Sequence, residues 1–375
     1  MENLRIAAFG GFRSIPPKAG GAGADKFAVE LYPRIVKKGY QVVAYCRIYP
    51  GDKLETTGDY AGIELRYFKT VKRAGFDTFL HSFKATFDVI MHNRADVIHL
   101  LSGANSIWSI FLRLAGKRVV VSQFAMDWKR AKWPWYGKLF YRVSNYITAY
   151  LPNKVVFDNV FTRDYFEKKF KRKYGFIPYG SEVPEVPENL EVLKRFDVIP
   201  GEYFLFVGRF IPDKGLHLLI EAFRDLKTDK RLVLVGGDPN PGSYESTIRS
   251  TTDKRVVFPG FMYGDDTNIL IKNAFAYVQP SLIEGLSPVI LTVMGLGTPL
   301  ICSDIVENLF ITGDHAFHFK SGDASDLRKV LEFVLKNYAI LQQKAILGKT
   351  DVKQRFNWDL VSDQYIEFFT KNKDS

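Results

Sequence analysis

Short, almost wholly apolar runs recur along the chain, separated by stretches in which apolar residues return every three or four positions. In the first half the runs fall at 5–9, 41–47, 63–68, 96–101, 118–122 and 155–158. Continuous apolarity, rather than strict alternation, is what a parallel strand covered on both faces requires. Between these runs, Phe27, Leu31 and Ile35 share one face of a helix predicted over about 24–38, and Phe79, Phe83 and Phe87 mark another. Pro33 lies inside the first of these and predicts a kink or a later start. The second half repeats the alternation, with strands predicted at 203–207, 231–235, 256–258, 275–279 and 299–302. Helices follow Gly215, where Leu216, Leu219, Ile220 and Phe223 align, and are predicted again at 289–297, 326–336 and 358–369. Strands alternating with helices at this spacing imply an α/β fold with doubly wound sheets.

The texture changes between the halves. Pro184, Pro187 and Pro200 accompany Glu182, Glu185, Glu188 and Glu191, so 181–200 reads as a linker between a domain at 1–180 and one at 201–355. Charge changes sign at the same place. Through residue 180 there are 30 Lys and Arg against 14 Asp and Glu; beyond it there are 22 against 27. The basic excess is densest between Arg113 and Arg142, interleaved with Trp128, Trp133, Trp135, Tyr136, Phe140 and Tyr141, and again at 168–173. Cations beside aromatic rings suit the headgroup layer of an anionic membrane, and equally a solvated basic face over an ordinary aromatic core. No nucleic-acid-binding motif accompanies them, so specific nucleic-acid recognition is not expected.

No apolar segment approaches the ~20 residues that span a bilayer, and the N-terminus runs directly into a strand, predicting no signal peptide and a cytoplasmic protein. Cys46 and Cys302 sit at the ends of predicted strands in different halves, as small core residues rather than a disulfide. His315 and His318 lack partner cysteines or clustered carboxylates, and no metal site is expected.

The most informative stretch is Phe204-Leu-Phe-Val-Gly-Arg-Phe-Ile-Pro-Asp-Lys-Gly215. An apolar strand ends at Gly208 and at once presents Arg209 and Lys214, ahead of a helix. Ligands of open α/β sheets sit beyond the carboxyl ends of strands. Two cations there, with no acidic cluster, point to a pyrophosphate site that works without a metal. Seventy residues on, Gln279-Pro-Ser-Leu-Ile-Glu-Gly-Leu-Ser-Pro288 repeats the pattern of strand, turn and helix. Glu284 is there a candidate ligand-binding carboxylate or a helix-capping one, and the amides of Leu286 and Ser287 lie near a helix N-terminus. The Gly20-Gly21-Ala22-Gly23 run gives backbone amides room to approach a phosphate or sugar, but Lys26 stands where a dinucleotide fingerprint needs glycine.

These motifs, with "MGLGTPLICSDIVEN", "FKSGDASDL", the glycine-rich loop and "MDWKRAKW", together resemble the group 1 family of retaining GT-B glycosyltransferases, in its bacterial surface-polysaccharide branch. The resemblance covers nearly the whole chain. It implies two Rossmann-like domains facing across a cleft, with the C-terminal helix 356–375 packing back on the first domain. The implied activity moves a sugar from a nucleotide-diphosphate donor to a saccharide or lipid-linked saccharide acceptor, without a cofactor, at the inner face of the cytoplasmic membrane. It makes Arg209, Lys214, Glu284 and Asp127 the catalytic candidates. Gly21, Gly208, Gly285, Leu286, Ser287, Thr292 and Glu307 become donor-binding candidates. Two positions depart from the family pattern. Thr292 stands where a second glutamate usually meets the ribose, with Glu307 a nearby carboxylate, and Phe124 stands where relatives often carry histidine. Asp127 remains the only carboxylate of its run, available to orient an acceptor hydroxyl or to cap a helix. The departures leave a second function open, that of a non-catalytic relative serving as partner to an active transferase.

Overall fold

The computed structural model describes residues 4–17, 23–52, 57–73, 75–124, 135–238 and 242–371. Contacts divide the chain into two units, Met1–Gly180 with Trp358–Ser375, and Ser181–Asn357.

In the first unit the strands are β1 (Arg5–Phe9), β2 (Gln41–Ile48), β3 (Thr57–Tyr60), β4 (Ile63–Lys69), β5 (Val97–Leu101), β6 (Arg118–Gln123), β7 (Lys154–Phe157) and β8 (Gly175–Phe176). They form one sheet in the order β3-β4-β2-β1-β5-β6-β7-β8. All neighbours are parallel except β3, which pairs antiparallel with β4 at the edge. The connecting helices are α1 (Gly23–Lys37), α2 (Phe76–Met91), α3 (Ser109–Leu114), α4 (Trp135–Tyr150) and α5 (Val160–Phe170). β1, β5 and β6 are buried almost throughout, which is why their sequences carry no alternation.

The second unit opens with α6 (Glu191–Arg195) and then alternates β9 (Tyr203–Gly208), α7 (Leu216–Arg224), β10 (Arg231–Gly236), α8 (Ser243–Arg249), β11 (Val256–Gly260), α9 (Asp265–Lys272), β12 (Ala276–Gln279), α10 (Pro288–Leu296), β13 (Leu300–Ser303), α11 (Val306–Thr312), β14 (Phe317–Phe319), α12 (Ala324–Lys336) and α13 (Tyr338–Arg355). Its sheet is parallel, in the order β11-β10-β9-β12-β13-β14. Two parallel sheets flanked by helices give two Rossmann-like domains, the GT-B class.

The stretch 181–200, expected as a linker, begins the second unit instead. Val192, Leu193 and Val198 are buried, and Arg195 on α6 reaches Asp266 on α9 at 2.6 Å. Its prolines and glutamates hid a short helix whose two apolar residues suffice to dock it. Nor does Pro33 break α1, which runs through it without interruption. Phe27, Leu31, Tyr32 and Ile35 are all buried on that helix, and their packing outweighs the hydrogen bond that proline removes. α13 has no counterpart among the predicted helices. It buries Leu341, Ala345, Gly348 and Val352, a stripe too small and too weakly apolar to stand out. Gly348 lets α13 lie close on Met294 of α10 and on His315, where an added Cβ would come within about 3.2 Å of both.

The last helix, α14 (Trp358–Thr370), belongs to the first unit and packs on α1. Phe27 of α1 meets Trp358 and Tyr365 of α14 edge-on, at centroid separations of 5.8 and 5.5 Å, and Phe124 at 5.1 Å. Beneath them, His99 of β5 bonds Tyr32 through Nδ1 (3.0 Å) and Ser122 through Nε2 (2.7 Å), and Ser122 bonds Tyr365 (3.1 Å). At the rim Arg34 pairs with Asp359 and Lys38 with Asp363.

Burial pushes His99 down to about 3, and burial together with Arg47 does the same to His81. Both rings stay neutral in the folded protein and take up a proton on unfolding below their ordinary value of ~6.5. Their contribution to stability is complete above that value and is lost as pH falls from 6.5 toward 3. Chemical denaturation at a series of pH values should show stability falling over this window. In His81→Leu the dependence should flatten by about one proton.

Candidate active site

Unit two brings together the residues that the motifs single out at the carboxyl ends of β9 and β12. These strands pair directly, Phe204 beside Ala276 and Leu205 beside Tyr277. Gly208 ends β9 beside Gly236 of β10, and a Cβ at Gly236 would sit 1.9 Å from the Gly208 carbonyl oxygen. Phe210 turns back into the core under Arg249, whose guanidinium lies 5.1 Å from the ring centroid. Arg209, between Gly208 and Phe210, is therefore directed to the surface. It is exposed, and has no hydrogen bond or ion pair among the described residues.

The next turn is a single 3-10 turn, Pro212–Lys214, closed by Gly215 in the left-handed region at φ 66°. Here glycine is required twice over. The backbone conformation disfavours a side chain, and a Cβ would stand 2.0 Å from the carbonyl oxygen of Pro280. This close approach docks the turn after β9 onto the turn after β12. The carbonyl of Asp213 accepts the amide of Leu282 at 2.9 Å.

Lys214 consequently meets Glu284. Its Nζ lies 2.5 Å from Glu284 Oε1, and the carboxylate side chain is only 8% exposed. Two further donors converge on the same oxygen, Gln279 Nε2 at 2.6 Å and Ser281 Oγ at 2.7 Å. Gln279 is itself anchored, donating to Ser281 Oγ at 2.9 Å and accepting from the Tyr277 hydroxyl at 3.0 Å. Tyr277 is held by the Val207 backbone, and burial together with the Glu284 charge pushes its ionisation well up, so it stays a neutral donor. Three donors thus fix Oε1, while no protein donor reaches Oε2 among the described residues. A buried carboxylate with one oxygen fully engaged and the other free is set to accept a hydrogen bond from a ligand.

Gly285 is exposed, Leu286 half-buried and Ser287 buried as the N-cap of α10. The amides of Leu286 and Ser287 have no protein acceptor among the described residues. Thr292 lies one turn into α10, where its hydroxyl donates to the Pro288 carbonyl at 3.2 Å. Glu307 is half-buried in the first turn of α11. That helix is braced to the site, because Asn308 holds Ser303, which in turn donates to the carbonyl of Ser281. Cys302 is buried beside it, its thiol pushed up to about 12, an inert core residue. Sequence reasoning passed over Gln279 and Ser281. The available signal was a pair of polar residues at the end of an otherwise apolar strand.

The candidates of the first unit are described only in part. Gly21 and Asp127, with the whole "MDWKRAKW" run, lie outside the described residues. Phe124 follows β6 and packs on Phe27. Among the described residues no group of three His, Cys, Asp or Glu stands together to hold a metal, and no helix is long and apolar enough to cross a membrane.

Residues 201–337, which hold every one of these strand-end groups, match the family described as glycosyl transferases group 1. Within that segment the chain is similar to the group 1 glycosyltransferases. It is 26% identical over 221 residues to O-antigen chain mannosyltransferase C of Escherichia coli, covering 54% of this chain and 56% of that protein. To the lipopolysaccharide core biosynthesis glycosyltransferase LpsE of Rhizobium meliloti it is 25% identical, covering 43% and 47%. The chain thus spans about half the length of the curated relatives it matches. In fold it is similar to sucrose-phosphate synthase from Thermosynechococcus elongatus, with TM-score 0.81, 18% identity and 98% of each chain covered. It is also similar to Anabaena HepE in complex with UDP-glucose, with TM-score 0.74, 16% identity and 97% and 99% covered.

The dependence of this strand-end site on one backbone contact is directly testable. Gly215→Ala should destabilise the protein by about 2 kcal/mol or more, from left-handed strain and the clash with Pro280. Thermal unfolding would measure the loss, with Gly313→Ala, where an added Cβ meets no other atom, as the less costly comparison.

Proposed function

We propose that the protein transfers a sugar from a nucleotide-diphosphate donor to a saccharide acceptor in cell-surface polysaccharide synthesis. The observation that carries this reading is that the turn after β9 holds both Arg209, exposed and without a partner among the described residues, and Lys214, ion-paired to a Glu284 whose Oε2 meets no protein donor among them. Arg209 and Lys214 stabilise the negative charge that develops on the departing diphosphate as the bond from the anomeric carbon to the phosphate oxygen breaks. The amides of Leu286 and Ser287 add donors for the phosphates at the start of α10. Glu284 Oε2 accepts from a hydroxyl of the donor sugar, while Gln279 and Ser281 hold the carboxylate in place. Gly208 and Gly285 leave room for close backbone approach, and Thr292 and Glu307 serve the ribose, with Gly21 a donor-binding candidate from its glycine-rich run alone.

The transfer retains anomeric configuration and uses no metal. The acceptor oxygen attacks the face the diphosphate leaves, and a leaving phosphate oxygen takes the acceptor proton, so no enzyme nucleophile intervenes. Asp127 orients the acceptor hydroxyl. The acceptor is lipid-linked, and the protein works at the inner face of the cytoplasmic membrane. In support stand relatives named for O-antigen and lipopolysaccharide core synthesis and a fold neighbour seen with UDP-glucose.

A second reading is a non-catalytic relative that binds and supports an active transferase. Its observation is that Thr292 offers only a hydroxyl already bonded to its own helix, and Phe124 a ring packed on Phe27.

Thermal unfolding with UDP, dTDP, GDP and ADP, each without metal, separates the two. One nucleotide at a hundred times its dissociation constant should add ~2.7 kcal/mol of stability. Arg209→Ala should abolish that shift and lower turnover at least ~100-fold. Being exposed and without a partner among the described residues, Arg209 should change stability by less than ~0.5 kcal/mol when replaced. No shift with any nucleotide would transfer the case to the non-catalytic reading.

A further inference from the structure

Helix α4 is amphipathic the wrong way round for a helix on a soluble domain. The residues it buries are Ser144, Asn145, Thr148 and Ala149. Thr148 bonds Ser106 at 2.6 Å and the Ser144 carbonyl at 2.8 Å, so the inward face is small and polar. Its outward face carries Trp135, Tyr136, Leu139, Val143, Tyr146 and Tyr150, and Trp135 is 76% exposed. At 100° per residue, all of these but Tyr136 fall within an arc of about 80°, opposite the buried arc. Burial inside this unit cannot be what selected that stripe.

Charge says what covers it. α4 contains Lys138 and Arg142 and no acidic residue. Beside it, the end of α5 and the residues after it supply Lys168, Lys169, Lys171 and Arg172, none with a carboxylate partner among the described residues. Lys169 lies 5.1 Å from the Tyr146 ring centroid and Arg172 5.3 Å from that of Tyr150, so the cationic ridge borders the aromatic stripe directly. The carboxylates of α5 are engaged locally, Asp164 by Arg163 and Glu167 by Lys173. A second copy meeting this face would bring the unpaired ridge against its own like charge. An anionic lipid surface has the opposite charge, an apolar layer for Leu139 and Val143, and an interfacial layer for Trp135, Tyr146 and Tyr150.

We infer that the outward face of α4, with the basic ridge at the end of α5, is the surface by which this protein lies on an anionic bilayer. The lipid-linked acceptor reading gives this surface its purpose, but the two stand or fall separately. Vesicle binding without a nucleotide shift keeps the surface and loses the donor site; a nucleotide shift without vesicle binding does the reverse.

The test is co-sedimentation of the full chain with vesicles of phosphatidylcholine alone or mixed with phosphatidylglycerol, at low and high salt. Binding should be roughly tenfold or more tighter to the anionic vesicles and weaken with salt. Leu139→Glu/Val143→Glu should reduce it at least tenfold, and so should Lys168→Glu/Lys169→Glu/Arg172→Glu. All five side chains lie on the surface of their helices or just beyond them, and circular dichroism checks the fold. Phe333→Glu, an exposed apolar residue of the second unit, should leave binding unchanged. If the first variant fails to fold, the charge-reversal variant and the wild-type salt titration decide alone. Absent or equal binding to both vesicles would overturn the inference. Unchanged binding in both variants would do so as well, as would a wild-type dimer that either variant converts to monomer.

Discussion

The contact on which the second unit's site depends is the approach of the Gly215 backbone to the carbonyl of Pro280. Parallel pairing of β9 with β12 brings two strand ends side by side, but it does not bring their loops into register. That is done where the left-handed Gly215 closes the turn after β9 tightly enough to lie on the turn after β12, with the Asp213 carbonyl accepting Leu282. Lys214 and Glu284, seventy positions apart, then share a hydrogen bond in a nearly buried setting. An ion pair taken from water in this way is a poor source of stability unless its remaining bonds are satisfied. Gln279, Ser281 and Tyr277 satisfy them on one side only.

That asymmetry links the fold to the chemistry. A carboxylate held by three donors at one oxygen keeps its orientation without a ligand, so binding need not order it. Arg209 is in the opposite condition, exposed and without a partner among the described residues, kept at the surface because its neighbour Phe210 is drawn into the core under Arg249. One cation is held in a network and the other stands exposed at the surface. Both belong to the segment that matches the glycosyltransferase family.

The first unit is assembled on a different principle. Its sheet is covered on one side by an aromatic assembly in which Phe27 gathers Phe124, Trp358 and Tyr365, so the last helix of the chain completes the first domain. α4 reverses the usual rule, turning hydroxyls and an amide inward and rings outward. The two units therefore divide the molecule's chemistry: a dense polar network at strand ends in one, and an aromatic, cationic surface in the other.

Much of this was legible in the chain. Buried parallel strands need continuous apolar runs, and those runs, from Arg5–Phe9 to Leu300–Ser303, stand out because nothing in solvent interrupts them. The strand-end cations and Glu284 were legible too, as charges placed immediately after such runs. Elements that depend on packing rather than pattern were not. Pro33 remains in a helix because its neighbours are buried, α13 rests on small residues that allow close approach, and α6 docks through two apolar side chains in an acidic, proline-rich stretch. Gln279 and Ser281 looked like the polar end of a strand until the turns closed around them. Periodicity along a chain reports what each residue avoids, which is water or the core. Which of two carboxylate oxygens is occupied, and by whom, is decided only when distant segments meet.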